Sequence, residues 1–166
     1  MATITYKGKP VHTYGDLPAK GSKAPDFTLT KTDFTDVTLR EFSGKKKILN
    51  IVLSLDTDTC SASAKRFEQE ADELENTVVL TVSRDLPYAS RRFCETAGVT
   101  NVLTLSALRD ESFGKDYGVL MTDGPRAGLL SRAVVVLDEE NEVIHTEQVP
   151  EVSQEPDYEK ALAAVR

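Results

Sequence analysis

Two cysteines, Cys60 and Cys94, are the candidate nucleophiles of this sequence. Thr57-Asp58-Thr59-Cys60 follows an apolar run that ends near Leu55, and Phe67, Ala71 and Leu74 then fall at i, i+4 and i+7, the spacing of one helix face. Cys60 is therefore expected at a helix N-terminus, where unpaired backbone N–H groups and the positive end of the dipole favour the thiolate, the reactive form of a thiol. A free cysteine has a pKa of about 8.5 and is only a few per cent ionised at neutral pH. Bringing a thiol down to about 6 takes roughly 3.4 kcal/mol, of which a helix dipole supplies about 0.3–1 and at best about 2. One charge-assisted hydrogen bond of about 1.5–3 kcal/mol makes up the difference, so an arginine is expected near Cys60. The competing reading is packing, since free cysteine is among the most buried residue types. For Cys94, in Arg91-Arg92-Phe93-Cys94, that reading is a helix-face thiol packed near Phe93.

Other chemistries have weaker carriers. His12 and His145 are the only histidines and sit in no ligand-spaced cluster, so no metal centre is expected. Glu73 and Glu75 read as the solvated face of a charged helix, and no glycine-rich phosphate loop occurs. Cys60-Ser61-Ala62-Ser63 has the form C-x-x-S, a variant of the thioredoxin-type redox motif, and raises a thiol-disulfide transferase as a rival; a non-catalytic binding or chaperone module is the alternative from another class.

The elements around these residues follow from pattern. Residues 2–14 read as a hairpin turning near Lys7-Gly8-Lys9-Pro10, and Phe27 to Leu29 with Val37 to Leu39 as a second. Lys47 to Leu55 and Thr77 to Ser83 are β-branched-rich runs with little polar alternation, as in strands buried on both faces. With the helix expected over Cys60 to Asn76 they make a βαβ unit. Val102 to Leu105 is a further strand. A second helix is expected from a cap at Asp85, with Pro87 in its first turn, to Gly98. Arg132 to Leu137 and Glu142 to Thr146 flank a turn and form an antiparallel hairpin, and Pro156 to Val165 reads as a closing helix. The expected architecture is an α/β/α sandwich of three layers around a mixed sheet, in one domain over residues 1–166.

Composition narrows the partners. With 20 basic and 27 acidic residues and a net charge of -7, the chain repels phosphate backbones and anionic membranes, so neither nucleic acid nor membrane is expected. The N-terminus lacks the charged start and apolar core of a secretory signal, and two cysteines do not make a disulfide scaffold. A cytoplasmic, soluble protein is expected.

Five segments together resemble the thiol peroxidase subfamily of the peroxiredoxins: Gly21 to Leu29 (GSKAPDFTL), Ser54 to Cys60 (SLDTDTC), Asp85 to Cys94 (DLPYASRRFC), Arg132 to Val136 (RAVVV) and Glu155 to Tyr158 (EPDY). The resemblance implies a thioredoxin-like fold and an atypical two-cysteine enzyme. In it Cys60 is the peroxidatic cysteine, Thr57 the threonine that bonds substrate oxygen, Arg132 the arginine that stabilises the thiolate, and Cys94 the resolving cysteine. It further implies hydrogen peroxide and alkyl hydroperoxides as substrates, an intrachain Cys60–Cys94 disulfide reduced by thioredoxin, no cofactor, and a homodimer. One position departs from the family pattern. Leu53 stands where the family has proline, restoring a backbone N–H and a flexible side chain beside the nucleophile's loop.

Overall fold

The computed structural model describes residues 1–166. The chain opens with strands β1 (Thr3–Tyr6) and β2 (Lys9–His12), which pair antiparallel with Thr3 opposite His12. Lys7 and Gly8 between them both have positive φ, the two-residue turn whose twist matches that of the flanking strands. This hairpin docks on the segment that follows the last strand: Thr5 N–H donates to Pro150 O at 2.8 Å, and Val152 N–H donates to Thr5 O at 2.8 Å.

The central sheet has seven strands: β3 (Leu29–Thr30), β4 (Asp36–Val37), β5 (Lys46–Ile51), β6 (Thr77–Ser83), β7 (Leu103–Ser106), β8 (Ala133–Leu137) and β9 (Val143–Gln148). Their spatial order is β4-β3-β7-β6-β5-β8-β9. The β5–β6 and β6–β7 pairs are parallel and all the others antiparallel, so the sheet is mixed. The parallel steps are bridged by helices α1 (Asp58–Ala71) and α2 (Pro87–Ala97). The one-turn α3 (Phe113–Asp116) precedes β8, and α4 (Tyr158–Val165) ends the chain.

Alternation along the strands divides the core in two. Leu49, Ile51, Leu80, Val82 and Val135 meet Phe113, Tyr117, Leu39 and Phe42 on one face, whereas Ile48, Val79, Val134 and Val136 meet Phe67, Ala161 and Leu162 on the other. The three layers are present but unequal: α1, α2 and α4 share one face, and only α3 and the 3-10 turn Leu39–Phe42 cover the other.

Several boundaries differ from those the sequence suggests. β5 stops at Ile51, four residues short of Leu55, because the chain must leave the sheet to build the loop before α1. The second hairpin has only two residues per strand, and Leu39 turns into the 3-10 turn. α1 ends at Ala71, so Glu73 and Glu75 lie in the following turn and not on a helix. Gly98 closes α2 in the left-handed conformation, as a C-terminal glycine should.

Candidate active site

Cys60 is the third residue of α1 and is fully buried, with 0% exposure. Thr57 caps the helix: its hydroxyl accepts from Cys60 N–H at 3.2 Å and donates to Ser54 O at 3.2 Å. The first turn is braced from the sheet, since Asn50 on β5 donates to the Ser63 hydroxyl and Ser63 donates to Cys60 O. The apolar neighbours of Cys60 include Val52, Leu53, Leu55, Ala64, Met121 and Val152. Leu53, at the family's proline position, is 5% exposed and fills this cluster. The thiol thus sits at the positive end of a 14-residue helix with apolar walls.

Asp85 holds the loop that carries Thr57. One carboxylate oxygen accepts from the Ser54 hydroxyl at 2.6 Å, the other from Leu55 N–H at 2.8 Å and from the Ser83 hydroxyl at 2.7 Å. The sequence suggests Asp85 as the cap of α2; the cap position is Leu86, which makes no side-chain cap. The carboxylate instead reaches 30 residues back along the chain. A chain of hydrogen bonds therefore runs from Asp85 through Ser54 to Thr57 and ends on the Cys60 amide.

Arg132 precedes β8. Ala133 pairs with Ile51, which places Arg132 beside Val52, where the chain leaves β5 for the Cys60 loop. It is 2% exposed, its Nε donates to Val152 O at 2.7 Å, and its Nη1 is buried without a hydrogen-bond partner. A buried guanidinium nitrogen with an unused donor is costly unless an acceptor meets it. Val152 belongs to the same apolar cluster as Cys60, so the arginine is bonded to a residue of the cluster that surrounds the thiol. The segment 150–153 is fixed in turn by Glu151, which accepts from Gly8 N–H, the Thr5 hydroxyl, Ser153 N–H and the Ser153 hydroxyl. The N-terminal hairpin thereby braces the segment to which Arg132 is bonded, a connection with no local sequence signal.

Cys94 lies on the inner side of α2, half-buried, with its sulfur 3.5 Å from the Thr104 hydroxyl on β7. Burial pushes its thiol up, and the Thr104 hydrogen bond opposes this. Both cysteines are free thiols in separate apolar clusters; Phe93 packs against both. A groove of about 560 Å³ between the Ser54–Asp56 loop and α2 has Phe93 and Arg92 in its wall, and a smaller one of about 260 Å³ reaches Thr57 and Ser61. The structure therefore gathers Cys60, Thr57 and Arg132 around one loop and strap, and holds Cys94 apart. His12 is bonded to Asp123 at 2.6 Å and His145 sits in the edge strand β9.

Residues 19–162 match the Redoxin family model. The chain is 50% identical over 165 residues to the thiol peroxidase of Mycobacterium tuberculosis, covering 99% of each chain. Among solved structures it is similar to a peroxiredoxin-like protein from Aquifex aeolicus, at 33% identity and a TM-score of 0.94 with 99% and 96% coverage. It is also similar to a thiol peroxidase from Chromobacterium violaceum, at 27% identity and a TM-score of 0.89 with 96% and 93% coverage. With the family model matched over residues 19–162 and half of its residues identical along nearly the whole length of a thiol peroxidase, the chain belongs to the Redoxin family, among the thiol peroxidases.

Proposed function

We infer that this chain is a thiol-dependent peroxidase in which Cys60 is the peroxidatic nucleophile. The Cys60 thiolate attacks one oxygen of a hydroperoxide in line with the O–O bond. That bond breaks, the departing oxygen leaves as water or an alcohol after taking a proton, and Cys60 becomes a sulfenic acid. The observation that carries this reading is the unused, buried Arg132 Nη1 beside the Cys60 cluster: a donor held out of water is suited to the thiolate and to charge growing on the leaving oxygen. Thr57 completes the site, because a hydroxyl that already caps Cys60 N–H keeps a lone pair with which to orient the peroxide.

Cys94 then condenses with the sulfenic acid, expelling water and forming an intrachain disulfide. A disulfide needs Cα atoms within about 7 Å; with Cys60 and Cys94 packed in different clusters and the Cys94 sulfur turned to Thr104 on β7, this reading has α2 loosen for the bond to form. An external dithiol of the thioredoxin type reduces it; thioredoxin itself, a cytoplasmic setting and no added cofactor complete the reading. Two copies pair, and the exposed Phe34 and Tyr88, with ring centres 4.8 Å apart, are the apolar surface that supports an interface. The transferase alternative is disfavoured because Cys60-Ser61-Ala62-Ser63 lacks the second cysteine that a dithiol exchange motif supplies, and the relative at 50% identity is a thiol peroxidase.

The test is hydroperoxide consumption coupled to thioredoxin, comparing the wild type with Cys60→Ser and Cys94→Ser. Cys60→Ser should abolish turnover, while Cys94→Ser should allow one rapid oxidation and then stop. Unchanged turnover in Cys60→Ser would refute the assignment.

A further inference from the structure

The three central strands place Asn50 opposite Thr81 and Thr81 opposite Thr104, so a row of polar side chains crosses the face on which α2 rests. Asn50 Oδ1, Thr81 Oγ1 and the α2 hydroxyl of Ser90 are buried without hydrogen-bond partners. In α2 itself only Pro87 and Ser90 are fully buried. The helix that carries Cys94 therefore rests on the sheet through half-buried Phe93, Cys94 and Ala97, over polar groups left without partners, an arrangement that favours local opening.

Its two ends are held by carboxylates. Asp85 ties the start to the Cys60 loop. At the other end, Glu68 of α1 accepts from Thr100 N–H at 2.6 Å, from Asn101 N–H at 2.8 and 2.9 Å, from Val102 N–H at 2.8 Å and from the Thr100 hydroxyl at 3.3 Å. The segment so gripped begins one residue after Val99, whose N–H closes the helix on Cys94 O.

We propose that Glu68 is a positioning residue that sets the C-terminal limit of the releasable segment: it pins Thr100–Val102 to α1, so that release of Cys94 is confined to residues 86–99 and is slowed by the grip. This rests on the reading of Cys94 as the resolving cysteine. In the step concerned, the Cys94 thiol loses its proton, its sulfur bonds to the Cys60 sulfur, and the sulfenic hydroxyl departs with a proton as water. Burial raises the Glu68 carboxyl, but the three amides outweigh it and keep it below its ordinary value. The resulting negative charge adds to burial in disfavouring the Cys94 thiolate. Removing the charge therefore acts twice in the same direction, loosening the segment and easing ionisation of the attacking thiol.

The experiment is rapid chemical quench with alkylation and mass spectrometry, resolving sulfenic acid formation from disulfide formation in the wild type and Glu68→Gln. Glu68→Gln should leave the peroxide step unchanged, speed disulfide formation about threefold to tenfold, the scale of one charge-assisted hydrogen bond weakened, and yield less sulfinic Cys60 at high peroxide. Disulfide formation as slow as in the wild type, or slower, overturns the proposal. Hydrogen exchange on the unaltered protein gives a second reading: the amides of residues 100–102 should stay protected in both reduced and disulfide forms while residues 88–97 lose protection in the latter. Loss of protection extending through Val102 overturns it. A wild-type protein that forms no Cys60–Cys94 disulfide refutes the functional reading itself, a failure distinct from a disulfide whose rate ignores Glu68.

Discussion

Arg132 and Val152 are joined by a 2.7 Å hydrogen bond from Nε to the carbonyl oxygen, and this bond fixes the direction of the guanidinium while leaving Nη1 unpaired. Val152 is itself held by Thr5 of the N-terminal hairpin. Orientation of the charge thus depends on a strap about 20 residues downstream and on the first strand of the chain.

Replacing Arg132 with methionine should lower the rate of Cys60 oxidation by about 10²–10³, the range for loss of one preorganised donor, while Cys60 remains chemically intact. Arg132→Lys should recover little, because an ammonium lacks the planar fork that can bond Val152 and a second acceptor together. Stopped-flow competition for peroxide against a reference thiol enzyme measures both. Full activity in Arg132→Lys would show that charge alone suffices.

Asp85→Ala removes the acceptor for Ser54, Leu55 and Ser83 at one stroke. Leaving the Leu55 amide without its partner should cost about 1–3 kcal/mol of stability. Displacement of Thr57 through Ser54 should slow the peroxide step about tenfold to a hundredfold. Urea titration and single-turnover oxidation are the measurements. The distinctive outcome is a raised requirement for peroxide with a disulfide step no slower than in the wild type, because α2 also loses the tie at its start; a merely destabilised fold would not give that pair.

Glu151 predicts an acid dependence. Hydrogen bonds from the Ser153 hydroxyl and amide, and then from the Gly8 amide, hold its carboxyl down at about 2 against an ordinary value near 4.5. A group whose pKa is depressed on folding stabilises the protein above its unfolded value and ceases to do so as pH falls through the folded value. The contribution is therefore complete above about pH 4.5 and disappears towards pH 2. The carboxylate is close to solvent, so screening keeps the effect modest. Glu151→Gln should flatten the pH dependence of stability in this window, measured by thermal unfolding from pH 2 to 6; an unchanged slope would show that the strap does not depend on this charge.

The sequence made the local elements legible where one short stretch decides them. Thr77–Ser83 is a strand with the expected ends because a run of seven residues, five of them β-branched, sits between polar turns, and Gly98 stops α2 because a left-handed residue is needed there. What was not legible depends on register or on distant partners. Asp85 reads locally as a helix cap, but its acceptors are taken by groups 30 residues earlier. The row Asn50–Thr81–Thr104 exists only once three strands are aligned, since each member alone is an unremarkable polar residue in an apolar run. Thr57 belongs with these: its tie to Asp85 through Ser54 exists only in the folded loop.

Thr104 offers the complementary test of the resolving half of the site. Its hydroxyl, 3.5 Å from the Cys94 sulfur, is the one neighbour that counters the burial raising that thiol. Thr104→Val keeps the shape of the side chain and removes the hydrogen bond, so the Cys94 thiolate becomes scarcer at any given pH. Loss of about 1 kcal/mol should slow disulfide formation about fivefold, with the reaction of Cys60 with peroxide unaltered. Pairing this variant with Glu68→Gln should bring the rate back towards that of the wild type, because one change disfavours the Cys94 anion and the other removes a negative charge that opposes it. A Thr104→Val enzyme that forms its disulfide at the wild-type rate would mean that release of α2, and not ionisation of Cys94, limits resolution.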